Sequence, residues 1–390
     1  MTLTLLENAL LLDPEADRAE VGSLLVESGR IVARRRGGEP RPESALRVDL
    51  GGRQLAPGFL DLHFHGRLVF AAPEASHDAL HAASASLARH GTTAFLATSV
   101  AWPEPELRER VMTCASSIDA GDWPGATPLG IHLEGPWINP AAAGAQPARG
   151  IRGFDPVEGA AILDAGEGLV RVVTLAPEVT GARDLLGDLK SRGVIAALGH
   201  SLADDACVME GIERGLRHVT HLFNAMTPLH HRERGPAGIA LTDDRLSCDL
   251  ICDGVHVHPD IVRLAARAKG EGLLLISDRI ELPGPGAPDS FGSGRVRDDG
   301  SALRLADGTL AGSTLTLDRA IRNAEAFGAM TRLEAVAACT LRPARLLGLE
   351  RERGTLRPGA LADLVVLSER GAVEETWIQG ERVYLAAEAS

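Results

Sequence analysis

Eight short apolar runs alternate with helical stretches between Gly58 and Asp278, and this alternation constrains the fold more than any other feature of the chain. Each run is nearly continuous in apolar residues, as expected of a parallel strand that is buried on both faces. The runs cover residues 58–66, 92–99, 128–136, 170–178, 194–201, 218–224, 246–254 and 273–278. Helical patterns between most of them cover residues 76–90, 104–119, 155–165, 182–192, 203–214 and 259–270. The pattern predicts an α/β fold, a TIM-like (β/α)8 barrel.

A doubly wound parallel sheet would give a similar alternation, and two further observations separate the two folds. No G-x-G-x-x-G motif follows the first strand, although that motif is typical of doubly wound dinucleotide-binding sheets. Most runs also end in a polar or reactive side chain, and barrel enzymes place their catalytic groups at the carboxyl ends of the strands. These groups are His63 and His65, Glu134, Glu178, His200, His221 with Asn224, Asp253, and Asp278. Both observations favour the barrel.

The two ends of the chain are expected to form a separate small β-domain, because both consist of short hairpin strands separated by turn residues. A Pro- and Gly-dense stretch, 281–294, follows the eighth strand and is expected to be a loop, with a role as a lid or a dimer contact. The predicted organisation is residues 1–55 and 354–390 in the β-domain and residues 56–353 in the barrel.

Composition excludes several classes of protein. The chain has 390 residues, a formal net charge of −13, one Tyr and no long run of Lys or Arg, so we expect no nucleic-acid or membrane-surface partner. No stretch approaches the roughly 20 apolar residues of a spanning helix, and no basic segment precedes the first apolar run as in a signal peptide. The five Cys form no C-x-x-C motif and indicate reduced thiols. A cytoplasmic globular enzyme is therefore expected.

A set of His and Glu side chains at the strand ends predicts a metal site. His63 and His65 alternate along the first strand, which places both rings on one side. Such a pair can bind a divalent metal, or it can simply be packed. Glu134, His200 and His221 end the third, fifth and sixth strands, and one carboxylate with two imidazoles at one rim is typical of a catalytic metal site with an open position.

Other polar residues near the rim have two interpretations each. Asp278, at the end of the eighth strand, suits a general base for the attacking water, or it caps a helix or turn. His132 is expected to be a hydrogen-bonded barrel histidine that orients Glu134. His256 is close enough to the seventh strand to reach a substrate carbonyl. The run 230–235, HHRERG, suits an anionic group such as phosphate, or it is a solvated charged loop.

These motifs, in this order, resemble the amidohydrolase superfamily and, within it, the N-acetylglucosamine-6-phosphate deacetylase family. The resemblance covers nearly the whole chain. It rests on APGFLDLHFHG, HLEGPWINP, LGHS, THLFNAM, HRERGPAG, DGVHVHP, SD at 277–278, DGTLAGSTLTLD and GTLRPGALADLVVL. It implies a metal-dependent barrel with a small β-sandwich from both termini, a sugar-phosphate substrate and a homodimer.

The resemblance also implies roles for individual residues. Glu134, His200 and His221 would hold the principal divalent metal, zinc or iron. His63 and His65 would hold a second metal where one is present, bridged by Glu134. Asp278 would be the catalytic acid and base, and His256 would contact the acetamido carbonyl. Asn224, Ala225 and Arg232 would bind the sugar phosphate, with Arg232 acting near the dimer interface.

Three positions depart from the family pattern and bear on the substrate. Gln146 stands where the family usually has His, Arg234 where it has Pro, and Arg279 where it has Ala. The expected reaction is hydrolysis of N-acetylglucosamine 6-phosphate to glucosamine 6-phosphate and acetate. The alternatives are another deacetylase or cyclic-amide hydrolase of the superfamily, and a non-catalytic sugar-phosphate-binding barrel.

Overall fold

The computed structural model describes residues 3–36, 39, 42–66, 76–281, 290–291, 294–299 and 302–387. The strands in these ranges are β1 Thr4–Asp13, β2 Arg18–Glu27, β3 Arg30–Arg36, β4 Leu46–Asp49, β5 Gln54–Pro57, β6 Phe59–Gly66, β7 Thr92–Thr98, β8 Thr127–Glu134, β9 Val170–Leu175, β10 Ile195–Leu198, β11 Leu216–Val219, β12 Ser247–Ile251, β13 Leu273–Ile276, β14 Arg279–Ile280, β15 Ser290–Phe291, β16 Gly294–Asp298, β17 Leu303–Leu305, β18 Leu364–Leu367, β19 Val373–Ile378 and β20 Glu381–Leu385. The helices are α1 Ser76–Ala88, α2 Glu106–Ala120, α3 Pro156–Ala165, α4 Ala182–Arg192, α5 Asp205–Arg214, α6 Gly235–Thr242, α7 Pro259–Lys269, α8 Leu317–Ala326, α9 Arg332–Cys339 and α10 Leu341–Leu346.

The predicted barrel is confirmed. Strands β6 to β13 pair in sequence order, each parallel to the next, and β14 returns to pair with β6. Only two residues separate the end of β13 from the start of β14, so the pairing of β14 with β6 joins the last barrel strand to the first and closes the sheet into a barrel. The predicted strands all form, within a few residues of the expected bounds. A large apolar core lies between these strands and the helices that follow them.

A buried carboxylate bridges the seam between the first and last strands of the barrel. Asp61 Oδ1 accepts the backbone N–H of Ser277 at 3.2 Å, and Asp278 N–H donates to His63 O at 2.9 Å. Asp61 is fully buried, and this burial raises its pKa to about 6 against the opposing effect of the Ser277 hydrogen bonds. The seam therefore fixes Asp278 in register with the two histidines of β6.

The six predicted helices are present as α1 to α5 and α7, whereas α6 and α8 to α10 were not predicted from the sequence. Helix α6, GPAGIALT, is buried at every residue except Thr242. A helix without a polar face lacks the 3.6-residue alternation that sequence reasoning detects. Within the described ranges, no helix is both long enough and apolar enough to cross a bilayer.

The two ends of the chain meet in a second sheet, as predicted. Its order is β20-β19-β18-β5-β1-β2-β3, with β4 beside β1. Strand β5 lies between β1 and β18 and joins the two ends; Val366 is paired with Leu55. This sheet has its own apolar core, which includes Leu24 and Trp377. The boundaries after residues 55 and 353 stay predictions.

A small three-stranded antiparallel sheet, β15-β16-β17, follows the barrel. The predicted loop 281–294 contributes Ser290, Phe291 and Gly294 to this sheet, so it is not a loop throughout. Residues 282–289 and 292–293 of that stretch lie outside the described residues, and the lid or dimer-contact role stays a prediction.

Candidate active site

The chain leaves three barrel strands through residues with a left-handed backbone. His200, His221 and Asp278 have φ angles of 48°, 30° and 48°. Side-chain-bearing residues rarely adopt this conformation, which costs of order 1–3 kcal/mol when the surrounding structure imposes it. The three side chains meet at the carboxyl-terminal mouth of the barrel, so the strained turns deliver them to one place.

Glu134, His200 and His221 form a compact buried triangle. Glu134 Oε1 lies 3.1 Å from His200 Nε2 and 2.9 Å from His221 Nε2, and the two nitrogens are 3.2 Å apart. None of the three residues is more than 5% exposed. Ligands of a tetrahedral zinc ion at about 2.0–2.1 Å stand roughly 3.3–3.4 Å from one another, so the triangle has the right size for a divalent cation.

A second group of possible ligands shares Glu134. His63 Nε2 lies 3.5 Å from Glu134 Oε1, and His65 Nε2 lies 3.3 Å from Glu134 Oε2. The two imidazole nitrogens are 3.2 Å apart. Asp278 Oδ1 approaches both, at 3.4 Å and 3.3 Å. Each triad, His63–His65–Glu134 and Glu134–His200–His221, brings its ligand atoms within metal-binding distance.

Backbone carbonyls fix the tautomers of two of these histidines. His65 Nδ1 lies 3.2 Å from Thr98 O, and His200 Nδ1 lies 2.9 Å from Ala142 O. A carbonyl can only accept, so each Nδ1 carries hydrogen. When a cation binds beside Glu134, each Nε2 would give up its hydrogen and present its lone pair to that cation. The donor set at the barrel mouth therefore fits a divalent metal.

The charges of the site keep its carboxylates ionised. Burial alone would raise the pKa of Glu134, but the charge of His63 and the hydrogen bonds from His200 and His221 outweigh it and hold that pKa well below its usual value. Burial opposes the charge of His65 too, yet its hydrogen bonds to Asp278 and Glu134 raise its pKa to about 10. Glu134 is thus in the form that binds cations.

A cavity of about 450 Å³ opens on these residues. Its walls include the predicted substrate residues Asn224, Ala225 and His256, together with Asp278. His256 Nδ1 lies 2.6 Å from Asp253 Oδ2, so Asp253 holds the ring through Nδ1. Burial would raise the pKa of Asp253, but the hydrogen bond and charge of His256 lower it.

Several polar residues singled out in the sequence lie elsewhere. Arg232 is exposed, approaches His231 and does not line this cavity. Arg234 pairs with Asp205. His132 hydrogen-bonds Leu62 O and Thr174 Oγ1, so it is a hydrogen-bonded barrel histidine, but none of these bonds reaches Glu134.

Glu178 and Arg279 also have partners away from the metal-binding triads. Glu178 accepts hydrogen bonds from Ser201 and from the backbone of Leu202. Arg279 forms an ion pair with Glu281.

Sequence reasoning left three residues of the site without a role. Gln146 donates to Glu134 Oε2, Asp253 orients His256, and Arg304 lines the cavity from β17. Gln146 was visible only as a departure from a family pattern, and Asp253 only as a polar strand end. Arg304 lies far along the chain from the barrel strand ends, and the sequence around it carries no signal that places it at the cavity.

A closed barrel with these His and carboxylate side chains at its mouth defines a hydrolase of the amidohydrolase class. The model of the amidohydrolase family matches residues 55–383. The chain belongs to this family and, within it, to the N-acetylglucosamine-6-phosphate deacetylases.

Three known proteins illustrate the similarity. The human N-acetylglucosamine-6-phosphate deacetylase is 38% identical over 362 residues, which cover 89% of this chain and 88% of the human protein. The N-acetylgalactosamine-6-phosphate deacetylase of Escherichia coli O157:H7 is 35% identical over 344 residues, covering 88% and 90% of the two chains. The structure of a mutant N-acetyl-D-glucosamine-6-phosphate deacetylase from Mycobacterium smegmatis, in complex with N-acetyl-D-glucosamine-6-phosphate, is 36% identical with a TM-score of 0.87, covering 98% of this chain and 100% of that chain.

Proposed function

We propose that this chain is a metal-dependent amide hydrolase that removes the acetyl group from N-acetylglucosamine 6-phosphate. Water adds across the amide bond: the carbonyl carbon leaves as acetate, and the nitrogen gains a proton and leaves as glucosamine 6-phosphate. The triangle of Glu134, His200 and His221 carries this proposal, because its three donor atoms lie 2.9–3.2 Å apart in a buried site. A divalent cation held there would polarise the carbonyl and lower the pKa of the attacking water toward about 7.

Asp278 is proposed as the group that moves the proton. It lines the cavity and is only 7% exposed. Burial would raise its pKa, but the charge of His63 and the hydrogen bond from His65 lower it, so the carboxylate is ionised at neutral pH. An ionised carboxylate can accept a proton from water and then deliver it to the leaving nitrogen.

His256 is proposed to hold the substrate carbonyl. Asp253 accepts the hydrogen of Nδ1, so His256 can donate from Nε2 only when both nitrogens carry hydrogen. The Asp253 carboxylate balances the charge of that form. His256 would then stabilise the negative charge that develops on the carbonyl oxygen during attack.

The sugar phosphate is proposed to lie across Asn224 and Ala225, with Arg232 of a second subunit completing its site. A guanidinium binds phosphate through paired, charged hydrogen bonds. Arg232 is exposed and outside the cavity wall of its own chain, which supports a contact made across a homodimer interface. A cytoplasmic homodimer that uses one or two zinc or iron ions per subunit completes the proposal.

Metal analysis followed by acetate-release assays tests this function. The purified protein is assayed on N-acetylglucosamine 6-phosphate, its galactosamine epimer, unphosphorylated N-acetylglucosamine and a cyclic amide such as hydantoin. We expect bound divalent metal and a kcat/KM at least about ten-fold higher for the phosphorylated sugar than for the free sugar, as loss of a charged hydrogen bond would predict.

Each alternative predicts a different outcome. Equal kcat/KM for the phosphorylated and free sugars would remove the phosphate from the assignment. Faster hydrolysis of the galactosamine epimer or of the cyclic amide would assign the chain to another substrate. Sugar-phosphate binding without acetate release from any substrate would favour a non-catalytic barrel.

A further inference from the structure

We infer that Gln146 is a positioning residue that makes the two metal-binding triads unequal, favouring one ion beside His200 and His221 over a second beside His63 and His65. The inference rests on the proposed function, because it takes Glu134 to be a metal ligand. Gln146 is 4% exposed and lies in the loop between β8 and α3. Its Nε2 lies 2.5 Å from Glu134 Oε2, and its Oε1 lies 2.8 Å from the backbone nitrogen of Ala101.

The orientation of the Gln146 amide is fixed by the chemistry of its partners. The backbone N–H of Ala101 can only donate, so the oxygen of the Gln146 amide must face it. The NH2 group therefore faces Glu134, whose ionised carboxylate can only accept. Because both ends of the amide are bonded and the side chain is buried, Gln146 holds the Glu134 carboxylate in one rotation.

The two oxygens of Glu134 consequently differ as metal ligands. Oε1 lies 3.1 Å from His200 Nε2 and 2.9 Å from His221 Nε2. Oε2 lies 3.3 Å from His65 Nε2 and carries the bond from Gln146. A donated hydrogen bond occupies one lone pair and draws electron density from that oxygen. His63 Nε2 lies 3.5 Å from Oε1, but Oε1 is closer to both His200 and His221. An ion beside His63 and His65 would therefore depend mainly on Oε2, the weaker of the two ligand atoms.

The difference in strength between the two metal-binding triads affects Asp278, the proton carrier of the proposed reaction. Asp278 Oδ1 lies within 3.4 Å of both His63 Nε2 and His65 Nε2, so a tightly held ion between those rings would attract the same carboxylate. An Asp278 oxygen bound to a cation is a poorer proton acceptor. By weakening the second ion, Gln146 leaves Asp278 available to move the proton.

Metal titration of the metal-free protein by calorimetry tests the inference without relying on activity, with Zn²⁺ as the probe. Two variants remove the donor without adding charge: Gln146→Met keeps the length of the side chain, and Gln146→Leu is shorter and also apolar. Gln54→Met is the matched control, since Gln54 makes a side-chain bond to Arg332 in the terminal sheet, away from the cavity. Elemental analysis after dialysis gives the number of ions that each protein retains.

We expect the wild-type protein to bind one Zn²⁺ tightly and a second more weakly. Both Gln146 variants should tighten the second ion about ten-fold or more while the first changes less than about three-fold, and Gln54→Met should match the wild type. If Gln146→Met does not fold, the Zn²⁺ titration of Gln146→Leu tests the inference.

Two results would overturn the inference: a second ion that is not tightened, or both ions weakened alike, as for a purely structural residue. A wild-type protein that binds no metal and releases no acetate would instead overturn the proposed function.

Discussion

The side chains of the proposed metal site differ in the bonds that hold them in place, and this difference bears on what a substitution does. The Nδ1–H of His200 donates to Ala142 O, and Glu134 is held by Gln146. His221 Nδ1 has no hydrogen-bond partner among the described residues. Its position therefore depends on Glu134 and on the left-handed turn at its own residue.

Replacing one ligand should remove the metal and the activity together. His200→Ala deletes one of the three converging donors, so we expect metal affinity to fall at least about 100-fold, more than losses at supporting residues usually produce. Metal content by elemental analysis and acetate release are measured on the same sample. His81→Ala, an exposed histidine outside the site, serves as the control. Full metal content in His200→Ala would refute its role as a ligand.

Asp278→Asn should separate chemistry from binding. Asparagine has nearly the same shape but cannot accept a proton, so we expect turnover to fall at least about 100-fold while metal content and KM change little. Single-turnover rates and metal content of the variant provide the measurement. Turnover near that of the wild type would remove Asp278 from the proposed mechanism.

At the level of secondary structure, the elements that could be predicted from the sequence are those with a regular pattern of apolar residues. The barrel strands were predictable because a strand buried on both faces is a continuous apolar run. Helix α6 was not, because it is buried all round. The Gln146–Glu134 bond joins a loop to a strand end, and no periodicity reports such a contact. The role of Arg232 in phosphate binding stays a prediction, because the sequence of an exposed loop does not reveal what its charges contact.

Helix α8 begins with a buried carboxylate whose titration predicts a pH dependence of stability. Asp318 Oδ2 accepts from Arg322 at 2.9 Å, and His90 Nδ1 lies 3.5 Å from Oδ1. Burial would raise the pKa of Asp318, but His90 and Arg322 lower it to about 2, from 3.8. A carboxyl whose pKa is lower in the folded state stabilises that state above pH 3.8, and this stabilisation is lost as the pH falls toward 2.

The expected contribution of Asp318 is about 2 kcal/mol at neutral pH, of which about 1 kcal/mol is lost by pH 3. Urea unfolding of the wild type and Asp318→Asn at pH 6 and pH 3 measures it. The difference between the two free energies of unfolding should shrink by about 1 kcal/mol at the lower pH. A constant difference would show that Asp318 does not titrate in this way.

At the scale of the whole molecule, the proposed homodimer rests on the net charge of the chain and on the position of Arg232. A chain with a net charge of −13 repels a sugar phosphate at long range, so the phosphate needs a local cation. Arg304 lines the cavity, but its Nε already donates to Asp299 and its Nη1 to Gly308 O. Arg232 is exposed, where a second subunit can use it.

Mixing two variants, each impaired in a different part of the proposed site, tests this arrangement. Arg232→Ala and Asp278→Asn are unfolded together and refolded, so that hybrid dimers form. If Arg232 serves the partner's site, the Arg232→Ala subunit of each hybrid regains a complete site, and about a quarter of wild-type kcat/KM should return. If Arg232 serves its own site, the hybrid gains nothing over its parents. Each variant refolded alone is the control.

The strands of the terminal sheet become available for pairing at different times during translation. Strands β1 to β5 leave the ribosome before any barrel strand, yet β18, the partner that covers β5, leaves after all of them. The edge of β5, with Leu55 and Ala56 both fully buried in the finished protein, therefore stays open while the barrel folds. Open apolar edges pair with other chains or are cut by proteases. If translation stalls within the barrel, the nascent chain therefore has an unpaired edge at β5. That edge is covered once β18 has been translated and pairs with it.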